Sequence, residues 1–392
     1  MTQEDIVNAA FRVWGRELYK TTSLSMVAQG LGVTKQALYR HFANKEALLD
    51  AMCGHFFDHY AEALRKTYDQ VYQVPQGIER LLVMSRGITE YYARNREYFV
   101  FFLFLVSGNK ESYRNLREQL ERRGISLGRI RTYIPGGDEY PPVIQMAGLT
   151  AIFTTALFHK ARSNAGGAVP PDKEIDVVVT QTEKKIAGGL RFDREDIDAL
   201  EYERLEALIG GADEPYEDDG LLKAVAGAVA EVGPWVASMD MVARRSGLSK
   251  SGLYAHFKSK QDMLGQLFMT EVDRIAHRAD VYARMSAVPA ERLYLAVLSI
   301  ADYLRSRPEI LIALNWTRIQ RLDLRITVPR LIYDIFADIR FHKTRDDGGT
   351  SPETAADWIL FLIVDTLMRR PGGLDFAGIP DRSIRILFRF LT

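Results

Sequence analysis

Hydrophobic positions recur with the period of an α-helix through nearly the whole chain. Behind Asp5, which we take as a helix N-cap, one helix face carries Ile6, Ala9, Ala10, Val13 and Trp14. Alternation of period two is scarce, and its best example, "DVVVT" at residues 176–180, lies inside a longer helical pattern. The sequence therefore predicts an all-α protein.

Clusters of glycine and proline divide this helical pattern. They lie at residues 75–77, 134–142, 164–172 and 210–220, and such clusters end helices and form loops. The last cluster is the predicted boundary between two large parts, because a repeat of the first part begins directly after it.

The repeat is clearest in two nine-residue stretches. "TKQALYRHF" at residues 34–42 returns as "SKSGLYAHF" at residues 249–257, 215 positions later. The preceding segments, "SLSMVAQGLGV" and "SMDMVARRSGL", match at the same offset, and residues 79–104 align with residues 291–316 at an offset of 212. The chain therefore contains two copies of one unit, each with a module of small helices followed by a larger helical body.

These alignments predict five segments. They are a first helix-turn-helix module at 1–48, a first helical body at 49–192, a linker at 193–219, a second module at 220–263 and a second body at 264–392. Within the linker, "REDIDALEYERLEALIG" has a helical pattern.

The repeated stretch has the composition of a helix, a tight turn and a second helix. We expect Ser23 and Thr34 to cap the two helices and Gly32 to form the turn. Leu38 and Phe42, with Leu253 and Phe257 in the second copy, would enter the core, and Tyr39 could be half buried. The polar surface left on the second helix suits the DNA major groove, which accommodates one α-helix.

The pattern hydroxyl–Lys–x–small–Leu–Tyr–x–His–Phe–x–x–Lys, preceded by "MVAQGLGV", resembles the DNA-binding module of TetR-type transcriptional regulators. The resemblance implies groove contacts from Thr34, Lys35 and Gln36, with Gln36 reading bases, and phosphate contacts from Tyr39, His41 and Lys45. The implied counterparts in the second copy are Ser249, Lys250, Ser251, Tyr254, His256 and Lys260.

The second module departs from this pattern. Ala237 replaces Thr22, and "GPW" replaces "LYK". Gly252 stands inside the recognition helix, where glycine costs up to ~1 kcal/mol of helix propensity. Two interpretations stay open: the module still binds DNA, or it has lost that function and the chain acts as a helical sensor or interaction protein.

TetR-type proteins are normally homodimers, so a chain with two copies can form the pair by itself as a monomeric pseudodimer. The last two helices of each copy would supply the pairing surface. Because Gln36 corresponds to Ser251 and Arg40 to Ala255, we expect a double-stranded DNA operator with two different half-sites. The predicted function is a ligand-responsive repressor of transcription.

The resemblance also implies that the helical bodies bind a small effector. The aromatic stretch "YYARNREYFVFFLFLV" favours an apolar one, although the same residues suit an ordinary helical core. The candidate effector-binding residues are Tyr91, Tyr98, Phe102, Tyr303 and Trp316.

Composition limits the possible partners and the expected location of the protein. The net charge of 0 excludes a uniformly basic surface but not a local basic patch. One cysteine permits no internal disulfide, the N-terminus lacks the features of a signal peptide, and the longest apolar run has eight residues, so we expect a cytoplasmic protein without a membrane partner.

Neither a metal site nor an enzyme is predicted. Cys53, His55, Asp58 and His59 have a metal-like spacing, but histidines on a long helix are more often packed or solvated. The chain contains no phosphate-binding or nucleophile motif, and we predict no cofactor.

Overall fold

The computed structural model describes residues 2–14, 23–75, 77–107, 110–126, 140–163, 169–190, 192–209, 219–234, 236–320, 333–335, 351–368 and 382–392. Within these residues all regular structure is helical and there is no strand, which confirms the predicted all-α class. The chain forms two compact units, Met1–Ala187 and Gly188–Thr392. None of the described helices is long and apolar enough to cross a membrane.

The first unit begins with three short helices and continues into longer ones. Its helices are α1 (Gln3–Trp14), α2 (Leu24–Gly30), α3 (Lys35–Tyr39), α4 (Lys45–Val71), α5 (Ile78–Arg94), α6 (Arg96–Ser107), α7 (Lys110–Arg122), α8 (Tyr140–Ala161) and α9 (Asp172–Gly188).

The second unit repeats this order after two additional helices. Its helices are α10 (Arg194–Asp198), α11 (Tyr202–Ile209), α12 (Gly220–Val232), α13 (Met239–Ser246), α14 (Lys250–His256), α15 (Lys260–Ala283), α16 (Pro289–Ser306), α17 (Pro308–Gln320), α18 (Pro352–Met368) and α19 (Arg382–Leu391).

The start of α1 differs from the sequence-based expectation. Asp5 is not the N-cap, because the helix begins at Gln3. The Thr2 hydroxyl accepts a hydrogen bond from the Asp5 N–H at 3.1 Å, and the Asp5 carboxylate accepts one from the Thr2 N–H at 2.6 Å. This reciprocal arrangement is a capping box, and it also lowers the pKa of Asp5.

One apolar cluster joins the small helices of the first unit to its body. Leu38 and Phe42 belong to the same cluster as Phe56, Tyr92 and Phe102. All five side chains are at most 5% exposed. Since packed interiors resist small displacements, a change in the body of this unit can reach the helix that carries Leu38.

The segment predicted as a linker packs within the second unit. Glu206 on α11 accepts hydrogen bonds from the Tyr294 hydroxyl at 2.6 Å and from two nitrogens of Arg385, each at 2.6 Å. The pattern predicted one helix here, but α10 and α11 are separate, and Leu200 between them is buried. The remainder of the predicted linker, residues 210–218, lies outside the described residues.

Candidate nucleic-acid interface

Each unit contains two short helices joined by the same tight turn. In the first unit the turn lies between α2 and α3, and in the second between α13 and α14. Gly32 has a φ of +67° and Gly247 has a φ of +71°. Residues other than glycine rarely adopt this left-handed backbone conformation. The predicted role of Gly32 in the turn is therefore confirmed, and Gly247 has the same role in the second unit.

Hydroxyl caps fix the start of all four helices. The Ser23 hydroxyl accepts from the Met26 N–H at 3.2 Å, and the Thr34 hydroxyl accepts from the Ala37 N–H at 3.2 Å. Ser238 and Ser249 do the same in the second unit, at 3.3 Å and 3.0 Å. The caps predicted at Ser23 and Thr34 are thus confirmed, and in this geometry each cap oxygen is engaged by its own helix.

Buried side chains hold the recognition helices α3 and α14 on the core. Leu38 and Leu253 are both 0% exposed, and Phe42 and Phe257 are 5% and 2% exposed. The four predicted core positions are therefore confirmed. With one side of each short helix fixed, its polar residues are left on the opposite, solvent-facing side.

The first recognition helix presents a continuous polar surface. Thr34, Lys35, Gln36 and Tyr39 are exposed, whereas His41 is half-buried. Tyr39 is 45% exposed, so it lies at the surface and not in the core, and the Lys35 ammonium lies 5.6 Å from the centre of its ring. The groove candidates of this module are therefore all accessible at its surface.

The second recognition helix exposes the equivalent positions, but some of them carry different side chains. Ser249, Lys250, Ser251, Tyr254 and His256 are all exposed. The Ser249 and Ser251 hydroxyls lie 3.0 Å apart. Because Arg40 is replaced by Ala255 and Gln36 by Ser251, this face carries shorter side chains than the first.

Lys45 and Lys260 begin the helix that follows each recognition helix. They are the first residues of α4 and α15, which are capped by Asn44 and Ser259 respectively. Both lysines are half-buried, and loss of hydration lowers the pKa of each. A helix N-terminus favours an anion, so these positions suit the phosphate contacts that the resemblance implies.

Sequence analysis missed one contact at this surface. The Lys250 ammonium lies 3.0 Å from the Asp240 carboxylate, and this hydrogen bond and charge raise the pKa of Lys250. The corresponding residue in the first unit is Ser25, 215 positions earlier. The difference between Ser25 and Asp240 is visible in the aligned sequences, but their spacing alone does not show that Asp240 reaches Lys250.

The effector candidates of the first unit lie in one aromatic cluster. The Tyr91 and Tyr98 rings stack with centroids 6.2 Å apart, and Tyr60 lies 5.3 Å from Tyr91 and 6.2 Å from Phe102. The Tyr98 hydroxyl is 2.9 Å from Nε2 of His55. Among the described residues, the buried Tyr91 hydroxyl has no hydrogen-bond partner.

The candidates of the second unit have different surroundings. The Tyr303 hydroxyl donates a 2.7 Å hydrogen bond to Glu271, which is 2% exposed and also accepts from Arg274 at 2.8 Å. Trp316 lies against the end of α12, where a methyl group on Gly233 would be 3.4 Å from the indole. Tyr303 is therefore part of a buried polar network, and Trp316 packs at a helix end.

The residues with metal-like spacing have other partners in the first unit, such as the ion pair between Asp58 and Arg123 at 2.7 Å. His55 and His59 have ring centroids 4.5 Å apart, and burial together with His59 lowers the pKa of His55. Burial and the nearby Asp50 raise the pKa of Cys53 to about 11. In the described part of the chain, no three histidine, cysteine or acidic side chains converge in a way that could hold a metal ion.

Comparison with known families matches both modules. The family model described as "Bacterial regulatory proteins, tetR family" matches residues 6–52 and again residues 221–267. Each match begins in the first helix of a module and ends inside the long helix that follows the recognition helix. Each capped motif with its exposed recognition helix thus belongs to a TetR-type helix-turn-helix domain, the domain with which transcriptional regulators of that family bind DNA, and the chain contains two such domains in tandem.

Proposed function

We propose that this protein is a ligand-responsive repressor that reads an asymmetric operator with both modules of one chain. The observation that carries the proposal is the pair of exposed recognition helices, which share their turn and caps but differ in side chains. A homodimer presents one surface twice and reads a palindrome. Two different surfaces in one chain favour two different half-sites.

The side chains suggest how the half-sites differ. Gln36 can pair bidentately with adenine, an interaction that gives about 1–3 kcal/mol of discrimination against a wrong base. Ser251, in the matching position, has one hydroxyl and accepts a wider choice of partners. The first half-site should therefore show the stricter base preference.

The assembly that we propose is a monomer with two-fold pseudosymmetry. Two recognition helices that enter successive major grooves must lie about 34–36 Å apart, and in homodimers a second chain supplies the second helix. Here α8, α9, α18 and α19 are the last helices of their units, and each carries several apolar residues, which suits them to a helical pairing surface.

The effector that we propose binds the first body. It is a small, mainly apolar molecule with a hydrogen-bond acceptor, because the aromatic cluster around Tyr91 contains a buried hydroxyl without a partner among the described residues. Phe56 in this body corresponds to the ionic Glu271 of the second body, where Tyr303 is already satisfied. The cluster reaches Leu38 and Phe42, so binding there can move the recognition helix.

The alternative is that only the first module binds DNA. Gly252 within α14 and the loss of Arg40 at the position of Ala255 favour it. In that case a second copy of the chain, or another protein, would have to supply the second recognition helix for binding to an operator.

Selection of bound DNA from a random pool by the purified protein tests the proposal. We expect an asymmetric consensus of about 15–25 base pairs, which is the length that two successive major grooves require. Enrichment of a palindrome would contradict the proposal that one chain reads two different half-sites. Enrichment of one half-site alone would support the alternative, in which only the first module binds DNA.

A further inference from the structure

The second recognition helix carries an internal carboxylate partner that the first lacks. Lys250 begins α14, and its ammonium lies 3.0 Å and 3.3 Å from the two oxygens of Asp240. Asp240 is the second residue of α13, the helix that precedes the recognition helix. Both side chains are more than half exposed, so the pair lies on the surface of the module.

In the first module this position is uncharged. Ser25 is the second residue of α2 and is exposed. Lys35 is the counterpart of Lys250, and its ammonium lies 5.6 Å from the centre of the Tyr39 ring. The two modules therefore hold the same lysine in two ways, one beside an aromatic face and the other against a carboxylate.

The position of Asp240 has a direct consequence for DNA binding. In helix-turn-helix domains the first helix of the motif crosses the phosphate backbone while the recognition helix enters the major groove. A carboxylate at the start of that first helix is stabilised by the helix dipole, but it repels phosphates and competes with them for the lysine.

We propose that Asp240 is an affinity-setting residue that holds Lys250 away from DNA, so that the first module binds its half-site more tightly than the second. This inference rests on the proposed function, because it requires the second module to bind DNA. It adds an order of events to that function: the first module binds first, and the second module binds when DNA replaces Asp240 as the partner of Lys250.

The test measures binding of the full chain to the selected operator and to two versions in which one half-site is scrambled. Asp240→Ser, which installs the residue of the first module, should tighten binding wherever the second half-site is intact by about threefold to fivefold, because exposed ion pairs are weak. The magnitude of the log–log salt slope should increase, because loss of the carboxylate raises the net positive charge of the surface that faces DNA. Asp240→Asn should tighten binding in the same way as Asp240→Ser.

A reciprocal change provides the matched control. Ser25→Asp places the carboxylate beside Lys35 and should weaken recognition of the first half-site by a similar factor. In a Lys250→Ala background, Asp240→Ser should have little remaining effect, because the proposed action passes through the lysine. Thermal unfolding of each variant checks that the modules remain folded.

Several results would overturn the inference. If Lys250→Ala weakens the second half-site while Asp240→Ser leaves it unchanged, the proposed function stands and the role of Asp240 is wrong. A gain from Asp240→Ser that persists in full without Lys250 would likewise exclude the lysine. If neither the native protein nor Asp240→Ser distinguishes the second half-site from a scrambled one, both the two-module function and this inference fail.

Discussion

Tyr91 and Tyr303 occupy matching positions in the two bodies, yet their hydroxyl groups have different surroundings. Burial and the Glu271 carboxylate raise the pKa of Tyr303, so its hydroxyl stays protonated and donates to that carboxylate. Burial also raises the pKa of Tyr91, whose hydroxyl has no hydrogen-bond acceptor among the described residues. One tyrosine therefore completes a polar network, and the other retains an unused donor.

Removal of the two hydroxyl groups should have different consequences for stability. Tyr303→Phe should destabilise the protein by about 1–3 kcal/mol, because it leaves the buried Glu271 without one of its donors. Tyr91→Phe should be neutral or slightly stabilising, because no hydrogen bond is lost. Urea unfolding of the two variants beside the native protein measures this difference.

The matched pair also tests where the polar group of an effector would bind. A loss of stability in Tyr91→Phe as large as in Tyr303→Phe would mean that the Tyr91 hydroxyl already has a strong partner. That result would remove the observation on which the first-body effector proposal depends.

At the scale of single elements, the two recognition helices differ in helix propensity at Gly252. Ala37 is the corresponding residue of the first module. A methyl group at Gly252 would lie 3.2 Å from the Ser249 hydroxyl, a close approach, but Ala37 is accommodated above the Thr34 cap in the same arrangement. The structure therefore has room for alanine after a small movement of the serine side chain.

Gly252→Ala should stabilise the second module by up to ~1 kcal/mol, the difference in helix propensity between the two residues. Ala37→Gly in the first module should have the opposite effect. Thermal unfolding measures both changes, and DNA binding measured in parallel shows whether the glycine serves the complex. Weaker DNA binding by a more stable Gly252→Ala protein would mean that the backbone of α14 approaches DNA closely.

Much of the element order could be predicted from sequence because it depends on local signals. Helical periodicity, hydroxyl caps and the glycine turn are all short-range features, and each of them occurs in both copies of the repeat. The break between α10 and α11 was missed, since the sequence around Leu200 has no glycine or proline to mark it. The start of α1 was misjudged because a capping box contains two polar residues, and only the structure shows that Thr2 is the cap.

Contacts between elements were harder to predict. The pairing of Lys250 with Asp240 depends on the angle at which α13 and α14 meet, and the sequence gives only their separation along the chain. The same limit applies to the network around Glu271, which joins residues of α15 and α16. The exposed faces of α3 and α14 were predictable because a repeated motif specified them, whereas the ion pair between Lys250 and Asp240 was not.

At the scale of the whole molecule, tandem duplication frees the two DNA-binding surfaces to diverge. A homodimer must change both recognition helices together, but this chain carries Gln36 in one and Ser251 in the other. The bodies have diverged too, since Phe56 and Glu271 occupy matching positions. We therefore propose that the two halves also differ in function, so that one chain reads two different half-sites and binds its effector in one of its two bodies.

The most direct measurement compares the affinity and stoichiometry of the native chain on three duplexes: the selected operator and the two palindromes made by duplicating either half. We expect one chain to bind one asymmetric operator, and to bind it more tightly than either palindrome. We also expect Lys35→Ala and Lys250→Ala each to weaken a different half-site. Two chains bound per operator, or tightest binding to the palindrome of the first half-site, would show that one chain does not read two different half-sites.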